Sequence, residues 1–260
     1  MNRHAVPNAT LGLPGRPANG GSQPRFYDFD DDVTRLVKWS PSPHGNKACF
    51  NELVASRLGQ LIDAPILRGI VVYVPDQIIP ADHRATGGTA GFHFAVTRMQ
   101  GENFVAPGHY ADIENSSELP AAAVHLAWLA IGDQQGHNQY LQRLEYEDQH
   151  GVSKRTKRFR LIDMGQMFGD FNWTPANVTN VHTTYQLPAH LVDHLTRANL
   201  ASVLNQLTQV SNGLIEECFQ DCPDTWGIST ADKAAGAQRA ILAKGNINNI
   251  LFNGNPGLRP

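Results

Sequence analysis

The chain reads Ile131-Gly132-Asp133-Gln134-Gln135-Gly136-His137-Asn138 and, further on, Leu161-Ile162-Asp163-Met164-Gly165-Gln166-Met167-Phe168-Gly169. The first run is a polar loop after an apolar segment, residues 118–131, whose Ala, Val, Leu and Trp residues suit the buried face of a helix. It spaces Asp133 and Asn138 as D-x-x-x-x-N. The second run ends a hydrophobic strand (Phe159, Leu161, Ile162) with Asp163 and follows it with Gly165. Both loops flank one predicted strand pair, residues 139–146 and 157–162, so they can converge at one end of it. Two carboxylates and an amide meeting there suit a hard divalent cation: Mg²⁺ takes oxygen ligands, keeps waters and is normally shared with phosphates. A carboxylate left off the metal can accept a hydroxyl proton. Taken singly, each motif suits a loop-forming Asx turn or a strand-ending turn equally well.

Upstream, Val33, Arg35, Val37 and Trp39 alternate with Thr34, Leu36 and Lys38, which predicts a strand ended by Pro41 and Pro43. Asn46 is expected to cap a helix over residues 47–62 with an apolar stripe of Phe50, Leu53, Val54, Leu58 and Leu61. Glu52 lies off that stripe among Ala48, Ala55 and Gly59, small residues that let another element come close. Pointing inward, Lys38 would neutralise a phosphate, with Glu52 as its natural partner; pointing outward, it would sit on a solvated sheet face. Residues 66–74 and 91–98 read as strands around a loop at 75–90, and residues 101–117 as irregular. From residue 188 onward helices are expected at 188–207, 211–219 and 230–252, the last opened by Ser229 with Asp232 at capping-box spacing. Residues 1–18 are expected to form a flexible arm.

The composition fits a globular chain. Of 260 residues, 41% are apolar and 17% charged, and 21 Lys plus Arg against 24 Asp plus Glu give a net charge of −3. That length allows one large domain or two lobes. The charge balance supplies no general attraction to nucleic acid or anionic membrane, so neither is an expected partner. No uninterrupted apolar run reaches the length of a bilayer span. The start, Met-Asn-Arg-His, has no apolar leader, and three cysteines do not make a disulfide scaffold. A cytoplasmic protein is expected.

Helices predominating after a strand-rich first part predict an α+β chain of two lobes. The order along it is a glycine turn, a strand lysine, a helix glutamate, D-x-x-x-x-N, a strand pair, then Asp-x-Gly and helices. This order resembles the protein-kinase-like fold, and more closely the bacterial HipA-like kinase family. That family carries an Asn-Glu-Leu-Val-Ala-like helix start, matched by Asn51-Glu52-Leu53-Val54-Ala55. Its catalytic loop, typically Asn-x-Asp-Arg-x-x-x-Asn, is matched by residues 131–138, and its metal strand, typically Ile-Asp-x-Gly with a Phe soon after, by residues 161–169. The resemblance covers about residues 18–220. It implies a small β-rich N-lobe with one helix over residues 19–101 and a larger, mostly helical C-lobe over 102–260.

Carried over residue by residue, the resemblance implies that Lys38 contacts the α/β-phosphates of ATP and pairs with Glu52. Gly20, Gly21 and Ser22 would cover the phosphates with backbone N–H groups. Asp133 would be the catalytic base, Asn138 and Asp163 would hold Mg²⁺, and a hinge near Met99 and Gln100 would offer backbone groups to adenine. The implied activity is an ATP- and Mg²⁺-dependent kinase acting on Ser or Thr of a protein substrate, with a partner chain of toxin–antitoxin type as a further expectation. Gln134 stands where the family usually has Arg, and the glycine turn is short. Those departures leave a second reading: a weakly active or inactive nucleotide-binding module that works through protein contacts.

Other motifs point less far. His190 and His194 at i, i+4 and Cys218 with Cys222 allow a zinc site, but no H-E-x-x-H is present and the pairs stand in the reverse of finger order. No P-loop, G-x-S-x-G elbow or dinucleotide-binding turn occurs. The basic run Lys154-Arg155-Thr156-Lys157-Arg158-Phe159-Arg160 suits a solvated hairpin edge.

Overall fold

The computed structural model describes residues 6–10, 12, 15–18, 23–103, 113–131, 138–147, 149–178, 187–255 and 258. Its first part is an antiparallel sheet in the order β1 (Arg16–Pro17), β2 (Arg25–Asp28), β3 (Thr34–Lys38), β5 (Gly91–Thr97), β4 (Gly69–Val74). Strand alternation divides its side chains between two faces. The outer face buries Tyr27, Val37, Trp39 and Val72 with Ile78 and Ile79 in a small core of its own. The inner face carries Phe26, Leu36, Lys38, Phe94 and Val96 over a cavity. Gly69 opens β4 because a Cβ there would lie 2.1 Å from the Phe94 ring, which needs that space.

Helix α1 (Ala48–Gln60) packs beneath the sheet. Eleven of its thirteen residues are buried, far more than a one-sided stripe requires, because α1 lies between the sheet and the second lobe. Its N-cap is Lys47, with no side-chain cap bond, rather than the expected Asn46. Lys47 turns inward instead: its Nζ donates to the Trp173 carbonyl and, at 2.6 Å, to Asp232. Burial of Phe50, Leu53, Val54 and Leu58 contributes about 1.5–3 kcal/mol each.

Below the sheet lie a three-stranded sheet, β6 (Gly101–Asn103), β7 (Gln139–Glu147) and β8 (Ser153–Leu161), and a helical layer. The helices are α3 (Leu119–Trp128), α6 (Arg197–Gln209), α7 (Asn212–Cys218), α8 (Thr230–Gly245) and α9 (Ile247–Gly254). Shorter helical turns are α2 (Ala81–Arg84), α4 (Pro175–Val178) and α5 (Ala189–Val192). Every residue of α3 is buried, and it forms the centre of the main core.

Several boundaries differ from expectation for local reasons. Residues 8 and 9 of the expected flexible arm are stitched to the sheet, Ala9 N–H to the Tyr73 carbonyl at 2.9 Å, and Arg16–Pro17 pair with β2. The 188–207 helix divides because Thr196 and Asn199 form a capping box that starts α6 afresh. The 230–252 helix divides at Asn246, while Ser229 and Asp232 do form the capping box read at its start. β8 begins at Ser153, four residues early, since its cations find cross-strand partners, such as Arg155 with Glu145 at 3.0 Å. No helix among the described residues is long and apolar enough to cross a membrane.

Candidate active site

A cavity of about 740 Å³ opens between the inner sheet face and the β7–β8 floor. Phe26, Leu36 and Val96 line its roof, and Tyr140 and Leu161 its floor. That is an ordinary volume for a small-molecule site, and an apolar body with a few polar groups is the usual pattern of one.

The polar groups come from four elements. Lys38 ends β3, and since Val37 belongs to the outer core, alternation turns Lys38 inward. Its Nζ donates to Glu52 Oε1 on α1 and to Asp163 Oδ1 at 2.7 Å, just after β8. Asn138, immediately before β7, is buried and lines the cavity beside them. The Lys38 and Glu52 side chains are 14% and 7% exposed, whereas Asp163 is 49% exposed and faces the open space.

Electrostatics follow from this burial. Burial alone would pull the Lys38 ammonium down, but the Glu52 and Asp163 charges and hydrogen bonds outweigh it and hold its pKa above the usual range. Burial raises the Glu52 carboxyl, and Asp163 adds to that; Lys38 only partly offsets them. Burial would raise Asp163 too, yet Lys38, by charge and hydrogen bond, leaves it below its ordinary value. Asp163 is therefore an ionised carboxylate at the cavity face. Its backbone is left-handed, with φ 61°, a strained choice for a residue other than glycine. Cys49, one turn before Glu52, is pushed up to about 12 by burial, and its thiol donates to the Trp39 carbonyl; it is a packing group.

Asp163 and Asn138 offer hard oxygen donors on one side of the cavity, which fits Mg²⁺ and not a soft metal. Met99 lines the cavity in the link between β5 and β6. Gln100 does not: its carbonyl accepts the Arg143 N–H at 2.8 Å and ties that link to β7. Gly20, Gly21, Ser22 and Asp133 lie outside the described residues. Cys218 and Cys222 are free, buried thiols, the side chain of His190 is outside the described residues, and no group of three metal-ligating His, Cys, Asp or Glu occurs among those described.

Sequence reasoning missed three contributors. Arg16 and Arg98 line the cavity, and Arg98 lies 5.2 Å from the Phe26 ring centre. Arg98 is four residues beyond Phe94, the cross-strand partner of Lys38, and so roughly 13 Å away along the strands. Asn51 is fully buried beside Glu52 and bonds the Gly165 carbonyl at 2.7 Å. Asn51 stands in the sequence as the first residue of the Asn-Glu-Leu-Val-Ala-like helix start, but that motif assigned it no role. The basic run on β8 is largely paired: Lys157 with Glu102 at 3.0 Å and Arg158 with Glu118 at 2.8 Å.

An antiparallel sheet with one helix over a helical lobe, with a cavity at their junction, is the two-lobed protein-kinase-like fold. Among solved structures the chain is similar to the Helicobacter pylori proinflammatory kinase CtkA, at 11% identity and TM-score 0.56, covering 94% of both chains. It also matches the Golgi casein kinase with Mn/ADP bound at 8% identity and TM-score 0.49, over 96% of this chain and 72% of that one. No family model and no curated protein matches the sequence.

Proposed function

We propose that this chain is an ATP- and Mg²⁺-dependent phosphotransferase of HipA-like type that phosphorylates Ser or Thr on a protein. The observation that supports it is the Lys38 ammonium held between Glu52 and Asp163 at the wall of a cavity with an apolar body. A cation fixed by a buried carboxylate is arranged to meet phosphate oxygens without searching rotamers. The apolar space between Leu36 and Tyr140 suits a purine, and Met99 lies within its lining.

In this reading Lys38 donates to the α- and β-phosphates while Glu52 holds its ammonium in place. Asp163 and Asn138 would hold Mg²⁺, which would supply neutralisation of the phosphate charge. Asp133 accepts the proton of the substrate hydroxyl as its oxygen bonds to the γ-phosphorus; the bond from that phosphorus to the β-bridging oxygen breaks, and ADP leaves. Work of this kind is positioning and charge neutralisation.

Incubation of the purified chain with γ-labelled ATP and Mg²⁺ tests this. Label transfer to the chain or to added protein should be abolished by Asp133→Ala and by Asp163→Ala. Transfer that survives both changes would remove the kinase assignment, and thermal stabilisation by Mg·ATP with no transfer would favour the nucleotide-binding module.

A further inference from the structure

We infer that Asn51 is a positioning residue: it ties the Gly165 carbonyl to α1 and thereby fixes where the Asp163 carboxylate stands relative to Lys38 and Glu52. The inference rests on the phosphotransferase reading, but Asn51 itself meets neither phosphate nor metal.

Both ends of the Asn51 amide are engaged. Its Nδ2 donates to the Gly165 carbonyl at 2.7 Å, and its Oδ1 accepts the Trp173 indole N–H at 3.1 Å. Reversing the amide would set oxygen against carbonyl and N–H against N–H, so its orientation is determined. Asn51 is fully buried among Phe50, Leu53 and Val54, a setting where an amide is tolerated only if its hydrogen bonds are made.

What the amide holds is a strained loop. Asp163 and Phe168 both have left-handed backbones, with φ 61° and 60°. Such conformations persist where the surroundings over-determine them. Met164 and Met167 are buried, and the Phe168 N–H reaches the Leu129 carbonyl at 2.7 Å, which anchors the far side of the loop. Asn51 anchors the near side. The loop backbone passes close by the ion pair there: a Cβ on Gly165 would lie 3.5 Å from Glu52 Oε1.

α1 is a rigid post for this purpose. Lys47 at its start binds Asp232 and the Trp173 carbonyl, and Arg57 in its last turn donates to the carbonyls of Cys218, Gln220 and Asp221 at 2.7–3.2 Å. Adjacent residues of one fixed helix thus set both partners of the site, Glu52 holding the lysine and Asn51 holding the aspartate loop.

The test is calorimetric titration of the full chain with ADP, in EDTA and across a Mg²⁺ series, joined to hydrogen exchange of the nucleotide-free protein. Asn51→Leu keeps the volume and removes both bonds. It should leave metal-free ADP affinity unchanged and weaken the Mg²⁺-dependent gain about ten- to hundred-fold, the range seen when groups supporting a metal ligand are removed. Exchange over residues 163–169 should quicken while that of α1 does not. Trp173→Phe keeps the Asn51–Gly165 bond, removes the donor to Oδ1 together with part of a buried ring, and should show the same pattern more weakly; it decides the matter if Asn51→Leu does not fold. Equal losses of metal-free and metal-dependent affinity would overturn the inference, as would wild-type Mg²⁺ dependence with unchanged exchange at 163–169. If the wild-type chain itself binds no ADP with Mg²⁺, the phosphotransferase reading fails, and the exchange data alone still decide whether Asn51 holds the loop.

Discussion

Lys38 and Asp163 are separated by 125 residues of chain and 2.7 Å of space. One ends a strand of the first sheet and the other follows the last strand of the second, so this bond, with Glu52 behind it, joins the two halves of the molecule at the cavity wall.

Removing the cation should expose how much the pair matters. Lys38→Met leaves Glu52 buried with no positive partner. Breaking a buried pair from one side costs about 3–5 kcal/mol, and proton uptake by Glu52 sets the low end here. Urea unfolding at pH 8 should show that loss, and the Lys38→Met/Glu52→Gln double variant should recover part of it. Additive effects in the two single variants would contradict the pairing.

Glu52 should trade stability for function. Its carboxyl titrates above its ordinary value, so the folded chain holds that proton more tightly than the unfolded chain. The associated stability is present below the unfolded value of 4.5 and is lost as pH rises through the higher folded value. Glu52→Gln should therefore raise the thermal midpoint of the nucleotide-free protein at pH 8 more than at pH 4.5, while weakening Mg·ATP binding. A midpoint that falls at pH 8 would contradict this.

Acid should act through buried histidines. Burial lowers His83 and His93 to about 4 and His125 to about 3, from an ordinary 6.5. Their stability contribution is complete above pH 6.5 and is lost as pH falls toward 4 for the first two and 3 for the third. Among the described residues, neither ring nitrogen of His125 has a hydrogen-bond partner. His125→Leu should thus flatten the decline of the urea midpoint between pH 6.5 and 4; an unchanged slope would show that His125 is not neutral in the fold.

The start of β6 should tolerate no side chain at Gly101, where a Cβ would lie 2.1 Å from the Leu141 carbonyl oxygen. Gly101→Ala must part β6 from β7 and move the Met99 backbone. Weaker ATP binding is expected together with faster exchange of the Arg143 N–H, which bonds Gln100. Unaltered exchange at Arg143 would count against this role for the link.

Much of this was legible in the sequence, and the reasons are physical. Alternation at residues 33–39 predicted β3, and the apolar run ending at Asp163 predicted the end of β8. The depth of α1 was not legible, because periodicity reports one buried face and cannot see a second lobe covering the other. The Thr196 break in the long C-terminal pattern was missed because Asn199 takes the place of the usual Glu or Gln in the box. At the site, residue order picked out Lys38, Glu52, Asn138 and Asp163. It gave Asn51 no role beyond its place in a helix-start motif and did not pick out Arg98, because what each does depends on contacts between elements distant in the chain.

The most direct test is a crystal structure of the chain with a non-hydrolysable ATP analogue and Mg²⁺. The expected density places the base between Leu36 and Tyr140, the α- and β-phosphates on Lys38, and one metal between Asp163 and Asn138 with Asp133 facing the γ-phosphate. A nucleotide bound elsewhere, or phosphates in this cavity with Asp163 and Asn138 turned away from the metal, would contradict the assignment.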